Sequence, residues 1–122
     1  MKILIIDDED DIRRIARLSL AGVGGMEVAE AGSGADGIRK AAAEKPDAVL
    51  LDMMMPVMDG PATLAALRGD PRTASIPVVF LTAKALSREV EGLKALGARG
   101  VLTKPFDPMR LPSDLLALLE RS

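Results

Sequence analysis

Five short apolar runs, each followed by a stretch with helical spacing, leave this chain few folds to choose from. The runs are residues 2–6, 26–31, 47–51, 76–82 and 101–103, rich in Val, Ile and Leu and bounded by turn residues. Between them lie stretches with apolar residues three and four apart: Ile12, Ile15 and Ala16 within 9–21; Ile38, Ala41 and Ala42 after a Ser33 N-cap; Ala62, Leu64 and Leu67 after Gly60. Val90, Leu93, Ala95 and Leu96 follow Ser87, a candidate cap, and Leu111, Leu115, Leu118 and Leu119 close the chain. Strand alternating with helix predicts a parallel sheet covered on both faces, and right-handed crossovers leave few topologies. Gly22 to Gly25, Pro46, Gly69-Asp70-Pro71 and Gly97 to Gly100 separate the elements. Asp107 with Pro108 reads as a cap and first helical residue, although Pro112 conflicts with a first turn there and favours a start at Leu111. Pro77 belongs at the start of its strand, where a missing donor is tolerated.

With 122 residues the expectation is a single domain over 1–122, with no linker and no output domain. The initial Met and the Arg121-Ser122 end are compatible with a complete chain. The net charge of −2, with both signs scattered, argues against direct nucleic-acid binding or a polybasic membrane patch. No apolar segment is long enough to span a bilayer, and acids follow the first strand at once, so a cytoplasmic protein is the default. The chain has no cysteine and no histidine. Thiol nucleophiles, His-based triads, phosphohistidine and zinc sites with nitrogen or sulfur ligands are thereby removed. A bound metal must be held by oxygen, which favours Mg²⁺, Mn²⁺ or Ca²⁺.

Polar residues gather at the strand ends. Asp7 and Asp8 follow the first strand, Asp52 ends the third, Thr82 the fourth, and Lys104 follows the fifth. Each has a plain reading alone: Asp52 as a loop or cap residue, and the run Asp7 to Asp11 as a solvated stretch suited to a helix N-terminus. In an open parallel sheet, however, strand C-termini converge on one edge, where ligands bind. Three carboxylates, a hydroxyl and an ammonium suit the handling of a phosphoryl group with a divalent cation. Without His or Cys, an aspartate is the natural nucleophile, giving an acyl phosphate.

The motifs Ile-Ile-Asp7-Asp8-Glu9, Leu-Leu-Asp52-Met-Met-Met-Pro56-Val-Met-Asp59-Gly60, Leu-Thr82-Ala83-Lys84 and Thr-Lys104-Pro105-Phe106 together resemble the receiver domain of two-component response regulators, of the stand-alone, chemotaxis-regulator-like type, over essentially the whole chain. The resemblance implies a flavodoxin-like (βα)5 fold with strand order 2-1-3-4-5. It implies Asp52 as phosphoacceptor. Mg²⁺, with Mn²⁺ as the alternative, would be held by Asp8, Asp7 (largely through water), Asp52 and the backbone carbonyl of Met54. Thr82 and Lys104 would bind phosphoryl oxygens, Thr82 moving inward on activation, with Ala83 keeping the pocket open and a cis peptide before Pro105. A histidine kinase or histidine phosphotransfer protein would be the donor. The output would be a separate protein target reading the surface of helix four, strand five and helix five. A monomer is expected, with dimerisation on phosphorylation as an alternative.

Many receivers carry an aromatic residue where this chain has Val101, so output is expected through the loop 83–86 and helix four rather than through a ring rotamer; Val101 itself reads equally as plain packing. Met54 should obstruct attacking water, and Lys84 should be solvated or pair with the phosphoryl group. Other readings are a phosphate carrier or sink, a Mg²⁺-dependent aspartyl-phosphate hydrolase of the haloacid dehalogenase type, and a degenerate binding module. Met54 stands where the hydrolase needs a second Asp, so catalysis beyond self-phosphorylation and autodephosphorylation is not expected.

Overall fold

The computed structural model describes residues 1–84 and 86–120. Five strands, β1 (Lys2–Ile6), β2 (Glu27–Ala31), β3 (Ala48–Asp52), β4 (Val78–Thr82) and β5 (Gly100–Thr103), form one parallel sheet in the order 2-1-3-4-5. The helices are α1 (Asp10–Arg17), α2 (Gly34–Glu44), α3 (Gly60–Arg68), α4 (Ser87–Ala95) and α5 (Leu111–Leu119). This is the flavodoxin-like arrangement that the resemblance implied.

Strand alternation sorts the core into two layers. Leu4, Ile6, Val49, Leu51, Val78 and Phe80 face Ala41, Leu64, Leu67 and Leu93, which come from α2, α3 and α4. Ile3, Ile5, Leu50, Val79 and Leu81 face Ala16, Leu20, Leu111 and Leu115 around α1 and α5. β3 is buried along its whole length, as expected of a central parallel strand with helices on both faces. Each fully buried Leu, Ile or Phe contributes about 1.5–3 kcal/mol of burial free energy.

Several details differ from the sequence reading. α1 does not break at Gly22 but widens into a π-helical stretch, Leu18–Val23. Ile15 is 41% exposed, and Ala16 and Leu20 carry the packing instead. Ser19 lies inside the wide turn, buried, with its hydroxyl donating to the Pro108 carbonyl. The expected anchor Ala62 is exposed. Ser87 is the first residue of α4 rather than its cap; Leu86 occupies the cap position with no side-chain hydrogen bond. Of the four apolar residues expected to pack α4, Leu93 alone is buried, while Ala95 and Leu96 are exposed. Asp107 closes a turn, accepting from the Met109 amide at 2.9 Å, and α5 begins at Leu111 with Pro112 in its first turn, where a missing N–H costs nothing. Pro77 precedes β4, and its carbonyl still accepts from Val49 at 2.9 Å.

Register places the site. Ile6 pairs with Leu51 and Thr82 with Thr103. The residues that follow, Asp7 beside Asp52 and Lys104 beyond Thr82, therefore emerge together at one sheet edge.

Candidate functional site

The β1 turn is held by hydrogen bonds to Asp7. Its amide donates to the Ala31 carbonyl at 3.1 Å, and its Oδ1 accepts from the Glu9 amide at 2.9 Å. Asp52 ends β3, and the Met53 amide donates to the Leu81 carbonyl at 2.9 Å. The chain then turns through 53–59 into α3. Asp59 is the N-cap, its Oδ1 accepting from Ala62 at 2.9 Å. Gly60 donates its amide to the Met53 carbonyl at 3.0 Å. A Cβ on Gly60 would lie 2.6 Å from the Asp52 carbonyl oxygen and 2.7 Å from Phe80, so this close approach of α3 to the end of β3 requires glycine.

Asp7, Asp8 and Asp52 bring carboxylate oxygens within 4.8 Å of one another. Asp7 and Asp52 are buried, 0% and 4% exposed, and Asp8 is exposed. Lys104 reaches into the group, its Nζ 2.9 Å from Asp7 Oδ2 and 3.0 Å from Asp52 Oδ1, with Glu9 at 3.8 Å. The Lys104–Pro105 bond is cis, as the resemblance implied. Burial pushes the Asp52 carboxyl above its ordinary range and Asp7 adds to the rise, outweighing the hydrogen bond from Lys104 and that from the Met54 amide. For Lys104, burial opposes the charge, yet its hydrogen bonds to Asp7 and Asp52 hold its pKa above the usual value.

One ammonium thus stands among four carboxylates, those of Asp7, Asp8, Asp52 and Glu9. Part of the negative excess, on Asp7 and Asp52, is buried. Hard oxygen donors with excess negative charge fit a divalent cation such as Mg²⁺. The fit rests on Asp7, Asp8 and Asp52.

The remaining candidates border this group. Thr82 donates its hydroxyl to the Lys84 carbonyl at 3.0 Å and accepts from the Lys84 amide at 3.3 Å, so it is engaged in its own loop. Ala83 and Lys84 are exposed. Together with Met53, Met54, Thr82 and Glu89 they line an open cleft of about 280 Å³. Met54 is 78% exposed, and its amide faces the Asp52 carboxylate. Val101 packs against the core layer under α4, which is the plain packing role. The loop 83–86 runs through Ala85, which lies outside the described residues, as do Arg121 and Ser122.

A family model described as "Response regulator receiver domain" matches residues 3–116. The chain belongs to the response regulator receiver domain family. It is 38% identical to the DNA-binding dual master transcriptional regulator RpaA of Synechocystis, over 99% of this chain and 50% of that protein. It is also 38% identical to the alkaline phosphatase synthesis transcriptional regulatory protein PhoP of Bacillus subtilis, over 99% of this chain and 49% of that protein. The chain spans about half the length of these curated relatives. Among solved structures it resembles the chemotaxis protein CheY4 of Vibrio cholerae, with a TM-score of 0.89, 32% identity and coverage of 96% and 97% of the two chains. A response regulator from Chloroflexus aurantiacus matches with a TM-score of 0.87 at 32% identity, over 98% of each chain. Membership of this family supports phosphorylation-dependent signalling in a two-component system, and receiver domains generally bind Mg²⁺ at an acidic pocket of this kind.

Two features of this receiver were missed in the sequence. Gly60 was visible only as a turn residue after Asp59, and its close approach to Asp52 needs the fold. Arg13 carries a single signal in the sequence, its place three residues after Asp10 at ion-pair spacing on a helix.

Proposed function

We propose that this receiver accepts a phosphoryl group on Asp52 from the phosphohistidine of a histidine kinase or histidine phosphotransfer protein, and that the acyl phosphate alters its α4–β5–α5 surface to control a protein target. The observation that carries the reading is the convergence of buried Asp52 with Asp7, Asp8 and Lys104 at one sheet edge. A carboxylate oxygen of Asp52 attacks phosphorus, the P–N bond to the donor imidazole breaks, and the imidazole leaves with the bonding pair. Mg²⁺, when bound by Asp7, Asp8, Asp52 and the Met54 carbonyl, supplies positive charge to the phosphoryl oxygens and relieves the repulsion between carboxylates. Lys104, freed from Asp52 once that oxygen is esterified, pairs with a phosphoryl oxygen. Thr82 trades its bonds to Lys84 for a second one, and Ala83 leaves the space open.

The exchange at Thr82 pulls on the loop that leads into α4. That helix is lightly anchored: Leu93 is buried, while Leu86 and Leu96 are each 57% exposed. α4 is therefore the element that a small change in loop contacts can move, and its exposed leucines are surface that a partner can read. Binding would shift the equilibrium only by its differential free energy in the two states. Met54, apolar at the cleft mouth, cannot orient an attacking water as a carboxylate would, and so favours a lasting acyl phosphate over turnover.

Intact-mass spectrometry after incubation with acetyl phosphate and Mg²⁺ tests this reading. One added phosphoryl group is expected, lost with chelator and in Asp52→Asn. An unmodified mass together with no Mg²⁺ binding would refute it; an unmodified mass with Mg²⁺ bound would mean that the phosphohistidine donor itself is required or that the acyl phosphate hydrolyses rapidly.

A further inference from the structure

Arg13 lies one turn into α1, on the face that looks back at the end of β1. Its Nη1 donates to the main-chain carbonyl of Asp7 at 2.6 Å, its Nη2 donates to Asp10, and its Nε lies 3.4 Å from Glu30 Oε1 on β2. The side chain is only 18% exposed, because it lies across Gly32. A Cβ at Gly32 would come within 3.3 Å of Nη1. Asp10 and Glu30 more than offset the guanidinium charge, Glu30 being shared with Arg17, so what Arg13 delivers to the acidic pocket is geometry.

The geometry acts on one peptide. The Asp7 carbonyl belongs to the same rigid plane as the Asp8 amide and Cα. Fixing that carbonyl fixes the direction in which Asp8 leaves the strand. Asp7 is already tied through its amide and both carboxylate oxygens. Asp8 is exposed and depends on its backbone for direction.

We infer that Arg13 is a positioning residue for divalent-cation binding: by clamping the Asp7–Asp8 peptide to α1 and β2 it aims the Asp8 carboxylate into the pocket. The inference rests on the reading of Asp7, Asp8 and Asp52 as a Mg²⁺ site. It also has a sign that separates it from a charge effect. Removing a cation close to the pocket should tighten Mg²⁺ by Coulomb attraction alone, whereas losing the clamp should weaken it.

The test is the half-saturating Mg²⁺ concentration, obtained by fitting the rise of Tm with Mg²⁺ to the linkage relation RT ln(1 + [Mg²⁺]/Kd), for wild type, Arg13→Gln, Arg13→Lys and Arg17→Gln. The rate of phosphorylation by acetyl phosphate against Mg²⁺ is measured in parallel. Arg17 also pairs with Glu30, at 2.7 Å, and donates to the Val28 carbonyl, but makes no bond to Asp7. It therefore reports loss of the β2 contact without loss of the clamp. Arg13→Gln should raise the half-saturating Mg²⁺ about tenfold, the low end for a group that orients a ligand. The limiting rate at saturating Mg²⁺ should fall far less. Arg13→Lys, which keeps one donor, should fall between, and Arg17→Gln should match wild type. Should Arg13→Gln not fold, the position of Arg13→Lys between wild type and a tenfold loss decides the matter. Half-saturation unchanged or lower in the Arg13 variants, or raised equally in Arg17→Gln, overturns the inference. A wild type with no Mg²⁺-dependent shift overturns the cation reading, and this inference with it.

Discussion

Gly60→Ala tests how tightly α3 is docked against the phosphoacceptor strand. The added Cβ would meet the Asp52 carbonyl oxygen at 2.6 Å, Phe80 Cε1 at 2.7 Å and Met53 Cα at 2.9 Å. Two of these atoms are main chain, and Phe80 is fully buried, so no flexible side-chain tip can swing away. Overpacking of this kind costs about 1–3 kcal/mol, and the upper part of that range applies here. Replacing glycine by alanine recovers about 0.5–1 kcal/mol of backbone entropy. The net loss is about 2 kcal/mol, which lowers Tm by about 8 °C in a domain of this size. Gly22→Ala is the control: nothing lies within 4 Å of its Cβ, so it should hold or raise Tm by about 2 °C. Melts followed by circular dichroism in the presence of chelator compare the two. Because the neighbours that must yield are Asp52 and Met53 themselves, Gly60→Ala should also slow phosphorylation by acetyl phosphate. A Gly60→Ala protein melting within about 2 °C of wild type would refute the packing argument.

Other perturbations bear on the same region. Lys104→Met leaves Asp7 and Asp52 buried without their cation and should cost about 3 kcal/mol in chelator, with much of the loss recovered in Mg²⁺; equal losses with and without Mg²⁺ would count against a cation site. Asp52 has a raised pKa in the folded chain, so the fold binds its proton more tightly than the unfolded chain does. That contribution is present below the ordinary carboxylate range and is lost as pH rises through the raised value. Asp52→Asn should therefore gain Tm relative to wild type as pH rises above the ordinary carboxylate range in chelator, and a gap that narrows with rising pH would contradict the shift. Val57 is fully exposed with φ +69, at the centre of a three-residue turn closed by Met58 N–H to Pro56 C=O at 2.7 Å, a strained setting for a β-branched residue. Val57→Gly should relieve about 1–2 kcal/mol of strain against about 0.5–1 kcal/mol of unfolded-state entropy, for a Tm equal to or a few degrees above wild type; a clear drop would show that Val57 makes contacts of its own.

The fold was legible because it rests on main-chain periodicity. Runs of branched residues ending at Asp7, Asp52 and Thr82 mark buried strands, and parallel pairing carries their ends to one edge whatever the side chains do. The cluster of Asp7, Asp8, Asp52 and Lys104 follows from register alone. Packing on helix faces was less legible. Ile15 has the spacing of a core residue, yet the buried stripe of this helix runs through its neighbour Ala16 and on to Ser19 and Leu20, three and four residues later. Ala95 and Leu96 fit an apolar stripe, but β5 beneath them has four residues and α4 meets the sheet mainly through Leu93. Ser87 and Asp107 have cap chemistry, but caps depend on where the preceding loop enters, which composition does not specify. The contacts of Arg13 and Gly60 were hard to read for a related reason: each is a close approach to a main-chain atom of the preceding strand or its end, Asp7 O and Asp52 O, which residue spacing does not specify.

The most direct test of the central claim is chemical mapping of the phosphorylated residue. Borohydride reduces an aspartyl phosphate to homoserine, whereas phosphoserine and phosphothreonine survive it. After incubation with acetyl phosphate and Mg²⁺, reduction and peptide sequencing should find homoserine at position 52 alone, and none when Mg²⁺ is chelated. Homoserine at Asp7 or Asp8, or phosphate retained on Thr82, would contradict the assignment of Asp52 as the acceptor.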